Sequence, residues 1–343
     1  MSTLEVRDLT VEFGQRGGPS LRAVDGLSMT LREGRTLALV GESGSGKSTV
    51  VRALSWLLRP AAGQILINDE RVGRPASALR AYRRRVQPIF QDPYASLNPM
   101  HDIRHHLARP IQLSRAHLGG RLTGAELDRA VSELLRSVNL TPPEEVARKH
   151  PHELSGGQRQ RVAIARALGT GPDVLLADEP VSMLDVSIRL EILNLLDALK
   201  RERNLAMLYV THDLATARHF STEIMVMYRG EIVERGPSDE VILSPAHPYT
   251  QLLAAAAPNP TAPRAEQAAA RRARQSARAT QTAERREIAL DQGCRFRARC
   301  PHAMEVCRTR PPDLQVTSGH LARCWLYGAN GPDAASAAGS EAR

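Results

Sequence analysis

The sequence predicts an α/β fold with a largely parallel sheet, on three observations. Short apolar runs of strand length alternate with helix-period segments along most of the chain. A Gly-rich stretch, Gly41-Glu42-Ser43-Gly44-Ser45-Gly46-Lys47-Ser48-Thr49, sits between an apolar run (Thr36 to Val40) and a helical pattern (Val50 to Leu58). A further apolar run, Val174 to Ala177, ends in the carboxylates Asp178 and Glu179.

Residues 4–13 and 21–32 alternate apolar and polar around the turn-rich stretch Gly14 to Ser20, and read as two strands. Thr36 to Val40 reads as a buried strand and Gln64 to Asn68 as another. Ala78 to Arg85 is helical and Val86 to Phe90 a strand ending at Gln91. From about 92 to 150 the pattern is helical, for example over Gly124 to Val138, and it resumes over Gly157 to Leu168. Val174 to Ala177 is a buried strand, Val186 to Arg203 a helix and Leu205 to Val210 a strand. Glu223 to Tyr228 and Glu231 to Glu234 form a hairpin around Arg229-Gly230. Beyond Pro258 large apolar residues nearly vanish and Arg outnumbers Glu, so 258–290 reads as a basic linker. Residues 291–326 form a small Cys-bearing module, and 327–343 a disordered tail.

The bulk properties narrow the class. The 343 residues suit one large domain plus an extension, and 42% hydrophobic residues is an ordinary globular share. No apolar stretch of about 18 residues would cross a bilayer. The N-terminus is charged and strand-like, unlike a signal peptide, so a cytosolic location is expected. The net charge of +9 comes almost wholly from Arg, since Lys47, Lys149 and Lys200 are the only lysines. That charge is compatible with nucleic acid, an anionic membrane surface or simply solvated Arg faces. Only 3% of residues are aromatic, which disfavours stacking on single-stranded nucleic acid.

Residues 41–48 fit the G-x-x-x-x-G-K-[ST] pattern, and their strand–loop–helix setting is the context that gives it meaning. Gly41, Gly44 and Gly46 let backbone N–H groups approach phosphates, with Ser43, Ser45 and Thr49 completing the cradle. Lys47 brings a point charge to the β- and γ-phosphates, and the Ser48 hydroxyl can ligate Mg²⁺. Asp178 suits a further Mg²⁺ contact, and Glu179 could act as general base on the attacking water. Ser155-Gly156-Gly157-Gln158 at a helix start is either an ordinary N-cap or an anion cradle.

Together these motifs, with Leu154-Ser155-Gly156-Gly157-Gln158 as the decisive one, resemble the ATPase subunit of ATP-binding cassette (ABC) systems over roughly residues 3–257. The resemblance implies an ABC-type P-loop ATPase: a RecA-like core, an N-terminal antiparallel β subdomain, a helical signature subdomain at about 92–168, and a small Cys-rich C-terminal extension. It implies ATP and Mg²⁺ as cofactors. The signature cradle would bind the γ-phosphate of ATP held by an opposing cassette. Gln91 matches the loop that touches Mg²⁺ or water, Asp185 the inter-subunit loop and His212 the γ-phosphate switch. Met183 stands where the family usually has Ala. Phe13 is either the family's adenine-stacking aromatic or a core strand residue.

Locally, Phe90 to Pro99 reads FQDPYASLNP, residues 247–253 read HPYTQLL, and Cys294, Cys300, Cys307 and Cys324 follow. These features resemble the oligopeptide/dipeptide importers. That subfamily implies a second cassette, two membrane permeases, an extracytoplasmic substrate-binding protein, and residence at the cytoplasmic membrane face. Relatives handle nickel, glutathione or oligosaccharides. A soluble ABC ATPase acting on nucleic acid is the alternative from another class; nucleic acid is not the expected partner. The four cysteines have no Cys-x2-Cys knuckle, and their module looks too small to fold on its own core. The subfamily associates the pattern with a [4Fe–4S] cluster; zinc, unmetallated thiols and a regulatory redox role stay open.

Overall fold

The computed structural model describes residues 3–14, 20–73, 75–117, 119–120, 122–256 and 293–328. The expected linker at 258–290 lies outside the described residues, as does the expected tail of 327–343 except for its first two residues, where Tyr327 instead ends an ordered turn and bonds Ala246 O at 3.1 Å. The backbone divides into two compact units, one of residues 1–9, 28–36 and 48–210, the other of 10–27, 37–47 and 211–343.

In the first unit, β6 (Val86–Ile89), β7 (Val174–Asp178) and β8 (Ala206–Thr211) are parallel, with Val86 opposite Val174 and Val174 opposite Ala206. All five residues of β7 are buried, which is why its sequence is continuously apolar up to Asp178. The crossover to β8 is α8 (Val186–Arg203), as the sequence predicts. It ends at Asn204, whose φ of 52° supplies the left-handed cap that stops the helix. This unit also holds parts of β1 (Thr3–Phe13) and β2 (Leu21–Arg32), which join β4 (Ala62–Ile67) and β5 (Glu70–Arg71) in the order β2-β1-β4-β5. The helix α1 (Lys47–Leu54) is shorter than its apolar pattern, because Trp56 takes a φ of 55° just past its end.

The helix expected at 78–85 is α2 (Ala76–Arg85), the helical stretch from about 92 to 150 resolves into α3 (Pro93–Ser96), α4 (Ile103–His117), α5 (Gly124–Ser137) and α6 (Pro143–Arg148), and the pattern at 157–168 is α7 (Gly156–Leu168). Thr123 starts α5 with a reciprocal capping box to Glu126, and Leu127, Val131, Leu134 and Leu135 form its buried stripe.

In the second unit, β3 (Thr36–Val40) runs parallel to β9 (Glu223–Tyr228), with Val40 opposite Val226. The strands β9 and β10 (Glu231–Pro237) form the expected hairpin. Arg229 and Gly230 at its tip both have positive φ, 47° and 88°, the backbone a tight two-residue turn demands. Three helices were not legible: α9 (Leu214–Phe220), α10 (Ser238–Leu243) and α11 (Pro248–Ala256). Each is too short to show a helical period.

The Cys-bearing segment differs from expectation. Its strands β11 (Leu314–Thr317) and β12 (His320–Ala322) extend the sheet, with β12 antiparallel to β10 and Glu234 opposite Ala322. Ala322, Cys324 and Leu326 pack with Ala246, and Met304, Val316 and Tyr327 cover them. Glu234, 1% exposed, accepts hydrogen bonds from the N–H groups of Ala246 (2.7 Å) and His247 (2.8 Å) and pairs with His320 Nε2 at 2.7 Å. This segment therefore shares a core with the rest of the unit and does not depend on a metal to supply one. Its few apolar residues pack on Ala246, and Phe296 packs on Tyr228 of β9 and Tyr249 of α11.

Candidate functional site

Each unit carries its own group of candidate residues, and the chain passes from one unit to the other at Lys47-Ser48. In the second unit, Gly41–Lys47 follows β3 as a tightly supported loop. Gly230 N–H donates to Ser45 O at 2.8 Å, and Asp25 N–H donates to Gly230 O at 2.9 Å. A Cβ on Gly41 would lie 2.2 Å from Met227 O, and one on Gly46 would lie 2.4 Å from Ala23 O. Backbone approach this close admits only glycine.

Lys47 is 4% exposed, and its ammonium donates to Gly41 O (2.7 Å) and Glu42 O (2.9 Å), so the loop is bent around its own cation. Ser43 and Gly44 are exposed along it. Ser45 Oγ is buried without a hydrogen-bond partner. An orphaned hydroxyl beside a buried ammonium, where a Cβ would clash, fits a cradle for phosphate oxygens.

In the first unit, Ser48 Oγ donates to Asp178 Oδ1 at 3.2 Å, which brings together the two residues expected at Mg²⁺. Asp178 is 5% exposed at the end of β7. Glu179 follows with a φ of 46°, its N–H donating to Val210 O at 3.0 Å. A left-handed glutamate is costly backbone, of the kind that clusters where a side chain must be aimed. Gln91 Nε2 donates to Glu179 Oε2 at 3.3 Å, so these two are also brought together. Thr49 is half-buried on α1.

Ser155 N-caps α7: its Oγ accepts from Gln158 N–H at 3.3 Å, while its own N–H donates to Gln158 Oε1 at 3.0 Å. Both readings of this motif survive, since a capping box occupies the same helix start that an anion would use. Gly157 is constrained, because its Cβ would come within 2.8 Å of Ile188 Cγ2; Gly156 faces Leu184. Asp185 stands at the N-cap of α8 but makes no capping bond, and Met183 beside it is 58% exposed. In the second unit, His212 is exposed just beyond β8. Phe13 is 41% exposed, which removes the core-strand reading of that residue.

The four cysteines are free thiols that border one enclosed pocket, together with His247, Phe296 and Trp325. The open space there is about 10 Å³, room for one water-sized group. Burial pushes two of them up, Cys294 to about 11 and Cys324 to about 12, so both stay protonated at neutral pH unless a cation displaces the protons. Among the described residues, no three His, Cys, Asp or Glu groups are gathered closely enough for a single metal ion. The donor set suits a thiolate-bound centre, but the sulfurs would have to move to hold one.

Sequence reasoning missed several supports of the phosphate loop: Tyr249, Arg299, Asp25 and Gly230. Tyr249 lies in the HPYTQLL string and Gly230 in the hairpin turn, but neither points to the loop, and Arg299 lies 257 positions from Glu42, which it pairs with.

The ABC transporter family model matches residues 24–182, and the model for the oligopeptide/dipeptide transporter C-terminal region matches 233–307. A Brucella abortus protein, named only provisionally as a peptide import ATP-binding protein, is 42% identical over 327 residues, covering 94% of this chain and 92% of its own. The oligopeptide transport ATP-binding protein OppF of Escherichia coli is 38% identical over 94% of this chain and 95% of its own. Among solved structures, an ATP-binding cassette dimer in a post-hydrolysis state with ADP and Pi is similar, with a TM-score of 0.60 and 30% identity over 68% of this chain and 98% of its own.

Proposed function

The chain belongs to the ABC transporter ATPases, in the branch of peptide-import ATP-binding subunits, and on that premise we propose how its residues divide the work. The chain hydrolyses ATP to energise peptide uptake. The observation that carries the residue assignment is the phosphate cradle, with Lys47 bent back onto Gly41 and Glu42 and Ser48 bonded to Asp178.

Residues 41–49 hold the phosphates. Ser48, Gln91 and Asp178 would hold Mg²⁺, which supplies charge neutralisation on the transferring phosphoryl group. Glu179 accepts a proton from the attacking water, and Gln91 keeps its carboxylate oriented. His212 reads the γ-phosphate, and Phe13 stacks on adenine. Ser155, Gly156, Gly157 and Gln158 receive the γ-phosphate of a nucleotide on an opposing cassette, with Asp185 beside that contact. The second cassette is a different chain, and two permeases and an extracytoplasmic binding protein complete the importer.

The chain sits peripherally at the cytoplasmic membrane face; among the described residues no helix is long and apolar enough to cross a bilayer. A tagged Glu179→Gln chain, recovered from native membranes with ATP, should bring down two multi-span permeases and a second cassette. Recovery of only soluble or nucleic-acid partners would overturn this assembly.

Cys294, Cys300, Cys307 and Cys324 are the residues that would ligate a [4Fe–4S] cluster, a structural or electron-storing centre outside the ATP chemistry. Anaerobic purification should give about four irons and four sulfides per chain with a broad visible absorbance, lost in Cys324→Ser. Stoichiometric zinc, or metal-free thiols, would rule the cluster out.

A further inference from the structure

Glu42 brings a negative charge into a loop read as binding a polyanion. Two groups from the C-terminal part of the second unit hold it. Tyr249, fully buried, accepts the Glu42 N–H at 2.8 Å through its hydroxyl. Arg299 forks onto the carboxylate, Nη1 to Oε2 at 3.1 Å and Nη2 to Oε1 at 3.3 Å. The Arg299 side chain is only 8% exposed, against 20% for Glu42, so the pair is shielded from solvent screening.

The fork is itself braced. Arg299 lies near the Tyr228 and Phe296 rings, 5.9 and 5.6 Å from their centroids, and Tyr228, Tyr249 and Phe296 pack as one cluster. Arg295 anchors the same turn to Arg229 O, Asp25 and Glu231. That turn is bracketed by Cys294 and Cys300. On the other side, the Glu42 carbonyl accepts from the Lys47 ammonium.

We propose that Arg299 is a positioning residue for the phosphate loop: it neutralises Glu42 and fixes the backbone that holds Lys47, so the turn between Cys294 and Cys300 sets affinity for ATP. The inference rests on the reading of residues 41–49 as the ATP phosphate site. A fixed bidentate cation cancels the repulsion between Glu42 and the incoming phosphates, which a flexible surface lysine would do less well. It also gives the Cys-bearing segment a route to the nucleotide that passes through side chains rather than through the fold at large.

The test is equilibrium titration of the full chain with a fluorescent ATP analogue, together with steady-state ATPase kinetics. Arg299→Gln should weaken binding roughly tenfold and raise KM to match, with kcat changed by less than about twofold. Glu42→Gln in the Arg299→Gln background should restore most of the affinity, because it removes the charge that Arg299 cancels; a purely structural role for Arg299 gives no such rescue. Arg323→Gln breaks an ion pair to Asp313 (2.8 Å) in the same segment without touching the loop, and should bind like the wild type. Wild-type affinity in Arg299→Gln, or equal losses with and without Glu42→Gln, would overturn the proposal. Failure of the wild-type chain to bind ATP at all would instead overturn the phosphate-site reading beneath it.

Discussion

Glu179→Gln is expected to lower kcat by about 10²- to 10⁴-fold while leaving ATP affinity within a few-fold of wild type. The substitution preserves volume and one hydrogen-bonding oxygen but removes the basic site. The backbone there is set independently of the side-chain charge. β7 is buried throughout, and the Glu179 N–H is tied to Val210 O at 3.0 Å. The positive φ of 46° is thus imposed by the strand register and should persist in the variant. What changes is the group that Gln91 contacts, from a carboxylate to an amide. A variant that still hydrolyses ATP at the wild-type rate would remove Glu179 from the role of base and leave Gln91 or a phosphate oxygen to activate water. The same variant should accumulate bound ATP, which filter binding with labelled nucleotide measures directly.

Gly41→Ala is expected to abolish detectable ATP binding without unfolding the chain. The new Cβ would lie 2.2 Å from Met227 O and 2.9 Å from Ser45 Oγ, at a φ of 156°. Neither the β9 carbonyl nor the loop can retreat cheaply, since Gly230 N–H is bonded to Ser45 O and β9 is paired on both β3 and β10. The loop must therefore move, and it takes with it the Gly41 carbonyl that Lys47 bonds. A loss of more than about 100-fold in affinity is expected, from a misplaced ammonium and a lost N–H cradle together.

Gly44→Ala gives the contrast. A Cβ there meets no protein atom within 4 Å, so within the protein only the φ of 82° opposes it, at about 1 kcal/mol. Circular dichroism and isothermal titration of the two variants separate crowding from backbone strain. Equal affinity losses in both would mean that the close approach to Met227 is not what matters.

Much of this protein is legible in its sequence because its site residues come as contiguous strings. The phosphate loop, the signature and the Asp178-Glu179 pair each follow from local geometry: a strand must end, a helix must begin, and a glycine must lie between. The strands β3, β7 and β8 could be read for the same reason, since strands buried on both faces leave continuous apolar runs.

What could not be read is long-range. Nothing near Arg299 announces a partner at Glu42, and nothing in residues 314–322 announces that two short strands will extend the main sheet. β11 and β12 have four and three residues, below the length at which alternation means anything. The Cys-bearing segment looked coreless because its core partner, Ala246, lies across a long intervening stretch of the chain. Phe13 shows the limit at a single residue: its strand was clear, yet which way it faces came only from its exposure.

This ATPase drives peptide uptake. The direct measurement is ATP-dependent entry of a labelled peptide into membrane vesicles carrying the subunits that co-purify with this chain, with the binding protein supplied outside. Uptake should need ATP and fall to background with Glu179→Gln in this chain. ATP hydrolysis that proceeds without any peptide entering, or that is instead stimulated by DNA in a salt-sensitive way, would contradict it.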